Sequence, residues 1–194
     1  MLQEGYDAEF VAGMLGNIES EGSAGHLESS NYDKKKPPAY IVKLNTHGYE
    51  NYSGGNIGTI GVSQLIAYSH YIHDKCHIGT YGIGCIQWTP WDRHIGLLET
   101  YQQMNNNYPT INECIKTEAT YMLYEISPDS KSFSGLMEKV NEKTDKMEGE
   151  QEAYKTAVVL CKEYIRPKED TSVPRGEMAK KIYRAMMGEK DNES

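Results

Sequence analysis

Long apolar runs are missing from this chain. Nowhere in its 194 residues does a stretch approach the ~18 apolar positions needed to span a bilayer, so no transmembrane helix is expected. No secretory leader is expected either: Met1-Leu2-Gln3-Glu4-Gly5 has neither a basic opening nor an apolar stretch behind it. Positive charge is scarce, 20 Lys and Arg against 28 Asp and Glu, and the formal net charge of −8 argues against a nucleic-acid partner. Cysteine is sparse as well. Cys76, Cys85, Cys114 and Cys161 show no CxxC and no metal-ligand spacing, so buried free thiols are expected, with a Cys76–Cys85 bridge left open. His70, His73 and His77 share helical spacing, but a metal site would need a third well-placed ligand; solvated or capping roles fit better, and neither metal nor cofactor is implied. Phenylalanine is nearly absent: 15 tyrosines and 2 tryptophans stand against 2 phenylalanines. Such rings join an apolar face to a polar handle, which suits stacking on sugars; a compositional habit of the source would give the same bias.

What is present is helical periodicity. Phe10, Val11, Met14, Leu15 and Ile18 fall on one face of a helix over 6–21, with Asp7 as a first-turn or capping carboxylate. Gly22 and Gly25 stop it at about Glu21. Residues 22–56 are polar and turn-rich, with a short strand expected over 40–44, and a loop of that length suggests a binding flap. Further helices are expected over 57–74, 92–104, 112–126, 150–165 and 175–187, with a weaker one over 134–142. The apolar stripe of the 112–126 helix is read as Ile115, Ala119, Met122 and Ile126. The fold class is therefore mainly α, α+β in the small sense that one domain over 1–194 carries a β or irregular flap after its first helix.

Two short stretches carry chemistry. In Gly16-Asn17-Ile18-Glu19-Ser20-Glu21-Gly22, Glu21 shares the face of Met14 and Ile18, while Glu19 points about 200° away and is expected in solvent. A carboxyl at a helix C-terminus meets the negative end of the helix dipole, and apolar neighbours add to the cost of its charge. A retained proton is what donation to a glycosidic oxygen requires. A lone glutamate near a helix end is more often a surface charge, so the second stretch matters. Tyr81-Gly82-Ile83-Gly84-Cys85-Ile86-Gln87-Trp88-Thr89 places glycines where backbone must approach something closely, then a polar amide and a large aromatic. Gln87 offers donor and acceptor together, suited to an N-acetyl group or to ordering a carboxyl; a satisfied buried amide and a core Trp88 are the plainer alternatives.

Together these motifs resemble the phage tail lysozyme family, and more distantly goose-type lysozymes and lytic transglycosylases. The resemblance extends to Arg93-His94-Ile95-Gly96-Leu97-Leu98, to Thr117–Glu125, and to Cys161–Pro167 with Arg175 and Ala179–Tyr183, so it covers roughly residues 8–187. It implies that Glu21 is the general acid and that Gln87, Trp88 and Tyr81 line a glycan cleft. The tyrosine bias adds Tyr32 and Tyr52 to that lining, and the groove is expected to be open at both ends with residues 22–56 as one wall. Gly22-Ser23 departs from the family's Ser-Gly order, and the long segment between the motifs leaves the second carboxylate open among Asp33, Glu50, Asp74 and Asp92, with Asp33 preferred. The implied activity is cleavage of the β-1,4 bond between N-acetylmuramic acid and N-acetylglucosamine in peptidoglycan glycan strands, by hydrolysis or by lytic transglycosylation. A wall-binding or structural module of a phage tail or conjugation machine is the rival. Such a protein acts outside the cell, delivered by a holin, a phage particle or a longer parent chain, without membrane insertion and in an oligomeric state left open. Its negative charge opposes an anionic wall, though salt at ~0.15 M screens this beyond roughly 8 Å.

Overall fold

Asp7 starts the first long helix: its Oδ1 accepts from the Phe10 amide at 2.6 Å, satisfying one of the donors a helix N-terminus leaves open. Helix α1 then runs Ala8–Glu21 and ends where the glycines begin. A computed structural model of the chain describes residues 1–28, 46, 52, 54–76, 81–130 and 132–189. Among them, α1 is followed by α2 (Ile57–Ile60), α3 (Val62–Tyr71) continued by a π turn over Ile72–Cys76, α4 (Trp91–Gln103) and α5 (Ile111–Ile126). Then come α6 (Leu136–Thr144), α7 (Gly149–Leu160) with a π turn over Cys161–Ile165, and α8 (Ser172–Met187). The fold is mainly helical, as the periodicity indicates. The segment read as one helix over 57–74 divides at Gly61, whose φ of +98° no helix accommodates.

The chain forms two compact units, Met1–Glu21 with Met122–Ser194, and Gly22–Tyr121. In the first, α1, α7 and α8 pack on a core of small side chains, Ala12, Ala153, Ala157 and Ala179, closed by Ile182, Tyr183 and Met186. Glycine sets the approach. A Cβ on Gly13 would stand 2.6 Å from Thr156 Cγ2, and one on Gly16 would stand 2.7 Å from the Arg175 carbonyl oxygen.

In the second unit the segment 25–28 lies between two others and pairs with both. Leu27 N donates to Gly55 O at 2.9 Å and Ile57 N to Gly25 O at 2.8 Å on one side; on the other, Glu28 N donates to Gly82 O and Gly84 N to His26 O, each at 2.8 Å. This antiparallel patch, bridged at His26–Asn56 and Leu27–Ile83, is the described part of the expected β flap. The strand expected over 40–44 lies outside the described residues. The buried face of α5 keeps Met122 and Ile126 of the expected apolar stripe but not Ile115. Cys114, Glu118, Tyr121, Met122, Glu125 and Ile126 point inward, while Ile115 is 54% exposed. The stripe is displaced because both carboxylates find donors inside: Glu125 accepts from Tyr164 OH at 2.7 Å, and Glu118 has three partners. Cys85, Cys114 and Cys161 are buried free thiols, and Cys76 is free and half-buried.

Candidate functional site

Glu21 closes α1 with 16% of its side chain exposed, and its carboxylate is paired with the guanidinium of Arg175, itself only 3% exposed. That guanidinium is fixed from two further sides. Its Nε donates to Thr171 Oγ1 at 2.8 Å and its Nη1 to Asn17 Oδ1 at 3.3 Å. Asn17 is wholly buried, and its Nδ2 donates to the carbonyls of Gly13 at 3.0 Å and Ala157 at 3.1 Å. Glu19, on the opposite face of α1, is exposed. The expectation of an acid cushioned by apolar neighbours therefore meets a different setting: a carboxylate held by a buried cation from α8.

Gln87 stands in the second unit with a backbone φ of +55°, rare for a residue with a side chain. Its amide N and its side-chain Nε2 both donate to Gly84 O, at 3.1 and 2.8 Å, so the turn over 84–87 is clamped twice on one carbonyl. Its Oε1 is buried with no hydrogen-bond partner. A lone buried acceptor costs ~1–3 kcal/mol, and such groups mark a place where a donor is missing. A Cβ on Gly22, the residue that follows Glu21 in the chain, would stand 3.1 Å from Gln87 Nε2. Glycine directly after the glutamate, the departure seen in the sequence, thus accommodates the Gln87 amide. Glu28 joins the same turn: its Oε2 accepts from Gly82 N at 3.1 Å.

The turn is carried by Glu118, 1% exposed, which accepts from Gly25 N at 2.6 Å, Cys85 N at 2.8 Å and Tyr101 OH at 2.6 Å. Burial raises its pKa above the usual carboxylate range, and the three donors oppose that shift. One carboxyl therefore ties together the segment that follows Glu21 and the turn that bears Gln87. Gly84 has no room for a side chain, since a Cβ there would stand 2.8 Å from both Glu118 and Trp88.

The expected aromatic lining resolves into separate roles. Trp88 is wholly buried, its ring 5.8 Å from that of Tyr121, so its face is spent on the core and not offered to a sugar. Tyr52 and Tyr81 flank the buried Tyr68, with ring centroids at 4.8 and 5.5 Å. Tyr52 OH accepts from Gln64 Nε2 at 2.9 Å. Tyr81 OH lies 3.0 Å from Ser69 Oγ, which lies 3.0 Å from His94 Nε2; burial pushes the Tyr81 phenol up and pulls the His94 imidazole down to about 4. Tyr32, Asp33 and Glu50 lie outside the described residues. Asp74 is engaged with His73 at 2.8 Å and is half exposed. Among the described residues no cluster of three or more His, Cys, Asp or Glu side chains could hold a metal ion, and no helix is long and apolar enough to cross a membrane.

Three groups here escaped the sequence reading. Arg175 was visible only as a matching position, Glu118 hides on an apparently apolar helix, and Glu28 sits at the edge of the polar loop. A signal existed for the first: Asn17 lies four residues before Glu21, one turn below it on the buried face, where an amide needs partners.

Comparison with known proteins adds a family to this geometry. A family model described as phage tail lysozyme matches residues 1–186. No curated protein matches the chain. No solved structure matches it either.

Proposed function

Since the chain belongs to the phage tail lysozyme family, whose name points to lysozyme-like degradation of peptidoglycan, we propose that it cleaves the β-1,4 bond between N-acetylmuramic acid and N-acetylglucosamine with Glu21 as general acid. The observation that carries this reading is the setting of Glu21. The residue ends a helix, is mostly but not wholly buried, and is aimed by a buried guanidinium, whereas Glu19 faces solvent. A carboxyl held in one orientation and still reachable is what proton donation to a bound polymer requires.

In the reaction the Glu21 O–H bond breaks as its proton passes to the glycosidic oxygen. The C1–O bond then breaks with oxocarbenium character at C1, leaving Glu21 as carboxylate. Gln87 is the residue of the second unit proposed to bind glycan: its unpartnered Oε1 fits the N–H of an acetamido group. Tyr52 and Tyr81 are the rings of the same unit proposed to flank the glycan, and Tyr32 joins them by the compositional argument. The second step is completed by water, assisted by Asp33 or Glu28, or by the muramic 6-hydroxyl, which makes the product anhydromuramic. The site of action is the cell wall.

Lysis of purified sacculi by Glu21→Gln and Glu19→Gln variants, with mass spectrometry of the released muropeptides, tests this reading. Glu21→Gln should lose ~10²–10⁴-fold in rate, the usual worth of general acid catalysis, while Glu19→Gln keeps wild-type activity. Reducing ends indicate hydrolysis and anhydromuramic ends indicate transglycosylation. If folded Glu21→Gln lyses at the wild-type rate, the assignment is wrong, and a wild type that binds sacculi without releasing products is a wall-binding module.

A further inference from the structure

We propose that Arg175 is a positioning residue for the reaction: it fixes Glu21 in its donating orientation and takes up the negative charge that grows on the carboxylate as the proton leaves. This rests on the reading of Glu21 as the acid.

Proton donation converts a neutral carboxyl into an anion, and that anion forms inside a largely buried place. An unpaired buried carboxylate is costly, so the transition state needs a nearby cation or dipole to receive the charge. Arg175 is placed to do so. It pairs with Glu21 and, being 3% exposed, is scarcely screened by water. It is also rigid. Thr171 Oγ1 holds Nε from the preceding turn of its own helix, and Asn17 Oδ1 holds Nη1 from α1, one helical turn before Glu21. Asn17 in turn donates to Gly13 O and Ala157 O, so the anchor reaches the third helix of the unit. The close crossing at Gly16, against the Arg175 carbonyl, brings α8 near enough for the arrangement to form. A guanidinium wanted only for packing would not need three polar groups, two on α1 and one at the cap of α8, to set its orientation. The planar spread of guanidinium donors over Glu21, Asn17 and Thr171, rather than charge alone, is what fixes where the Glu21 carboxyl sits.

Arg175→Met, Arg175→Lys and Glu21→Gln/Arg175→Met, assayed on soluble glycan strands with folding followed by circular dichroism, test the proposal. Arg175→Met should lower kcat on the order of 10- to 100-fold with KM little changed, below the ~10²–10³-fold cost of losing a donor that touches the reacting oxygen. Arg175→Lys should recover part of that loss, because it returns the charge without the fork. In the Glu21→Gln background Arg175→Met should change the residual rate no further, which a general loss of structure would not mimic. If folded Arg175→Met retains wild-type kcat, or lowers the rate equally in both backgrounds, the proposal fails while Glu21 as acid stands. Should Glu21→Gln itself remain fully active, the reading of the acid falls first, and this inference with it. Should Arg175→Met fail to fold, Thr171→Val decides, since it removes only the Nε anchor: a lowered kcat at unchanged KM upholds the proposal, and an unchanged kcat overturns it.

Discussion

Gln87 combines two unfavourable features that the rest of its unit sustains. Its left-handed backbone costs roughly 1–2 kcal/mol for any residue bearing a Cβ, and its Oε1 is buried without a donor. Local backbone strain and an orphaned polar atom at one residue fit the glycan-binding role proposed for Gln87. Gln87→Gly should therefore be more stable to urea than Gln87→Ala by about 1 kcal/mol, because only glycine relieves the backbone, yet both should lose lysis. An alanine variant as stable as the glycine one would show that the strain is not there. At this scale the sequence was legible where a residue's role depends on its neighbours in the chain. Asp7 as the opening cap of α1 and the end of that helix at Glu21 were found that way. It was not legible where the partner is distant: nothing local to Glu21 announces a guanidinium 154 positions away. Trp88 fails for a related reason, since pattern identifies a large aromatic in a Gly-rich turn without telling which of its faces the core has taken.

Elements were read more evenly than residues. Six of the helical segments fall within a few positions of their expected bounds, because each combines apolar periodicity with a glycine, proline or capping side chain at one end. The errors have physical causes. Gly61 breaks what periodicity alone would continue, and α5 turns two carboxylates inward because Tyr101, Tyr164 and two backbone amides await them. How closely α1 and α8 cross is set by Gly16. Gly16→Ala would drive a Cβ to 2.7 Å from the Arg175 carbonyl and 2.9 Å from the Ala179 nitrogen, both backbone atoms that cannot swing aside. Such overpacking should cost ~1–3 kcal/mol in thermal or urea unfolding, and by displacing α8 it should lower lysis more than stability loss alone explains. A Gly16→Ala protein with unchanged stability would mean that the helices tolerate a wider crossing.

At the scale of the whole molecule, the buried titratable groups set how stability depends on pH. His94 is wholly buried and hydrogen-bonded to Ser69 and to the Trp88 carbonyl, and burial lowers its imidazole from 6.5 to about 4. Between those values the unfolded chain binds a proton that the folded one refuses, so folding stability falls as pH drops from 6.5 towards 4 and loses nothing further below. The loss is on the order of 3 kcal/mol at most. Glu118 works with the opposite sign, because its raised pKa means that stability declines as pH rises above the unfolded carboxyl value. Urea unfolding of wild type and His94→Gln across pH 4–7 separates the two terms. Relative to wild type, the variant should lose less stability, by the histidine contribution, as pH falls from 6.5 towards 4, and parallel curves would place the imidazole in contact with water.

The first unit is assembled from both ends of the chain, Met1–Glu21 and Met122–Ser194. Synthesis is vectorial, and long-range contacts form only after the intervening loop entropy has been overcome. Helix α1 therefore leaves the ribosome long before the helices that bury its inner face exist. Glu21 meets its guanidinium only once residue 175, 154 positions later, has emerged. A nascent or prematurely terminated chain that lacks α8 carries Glu21 without Arg175, so on the proposed reading the acid is left unaimed in every product that stops short of that helix.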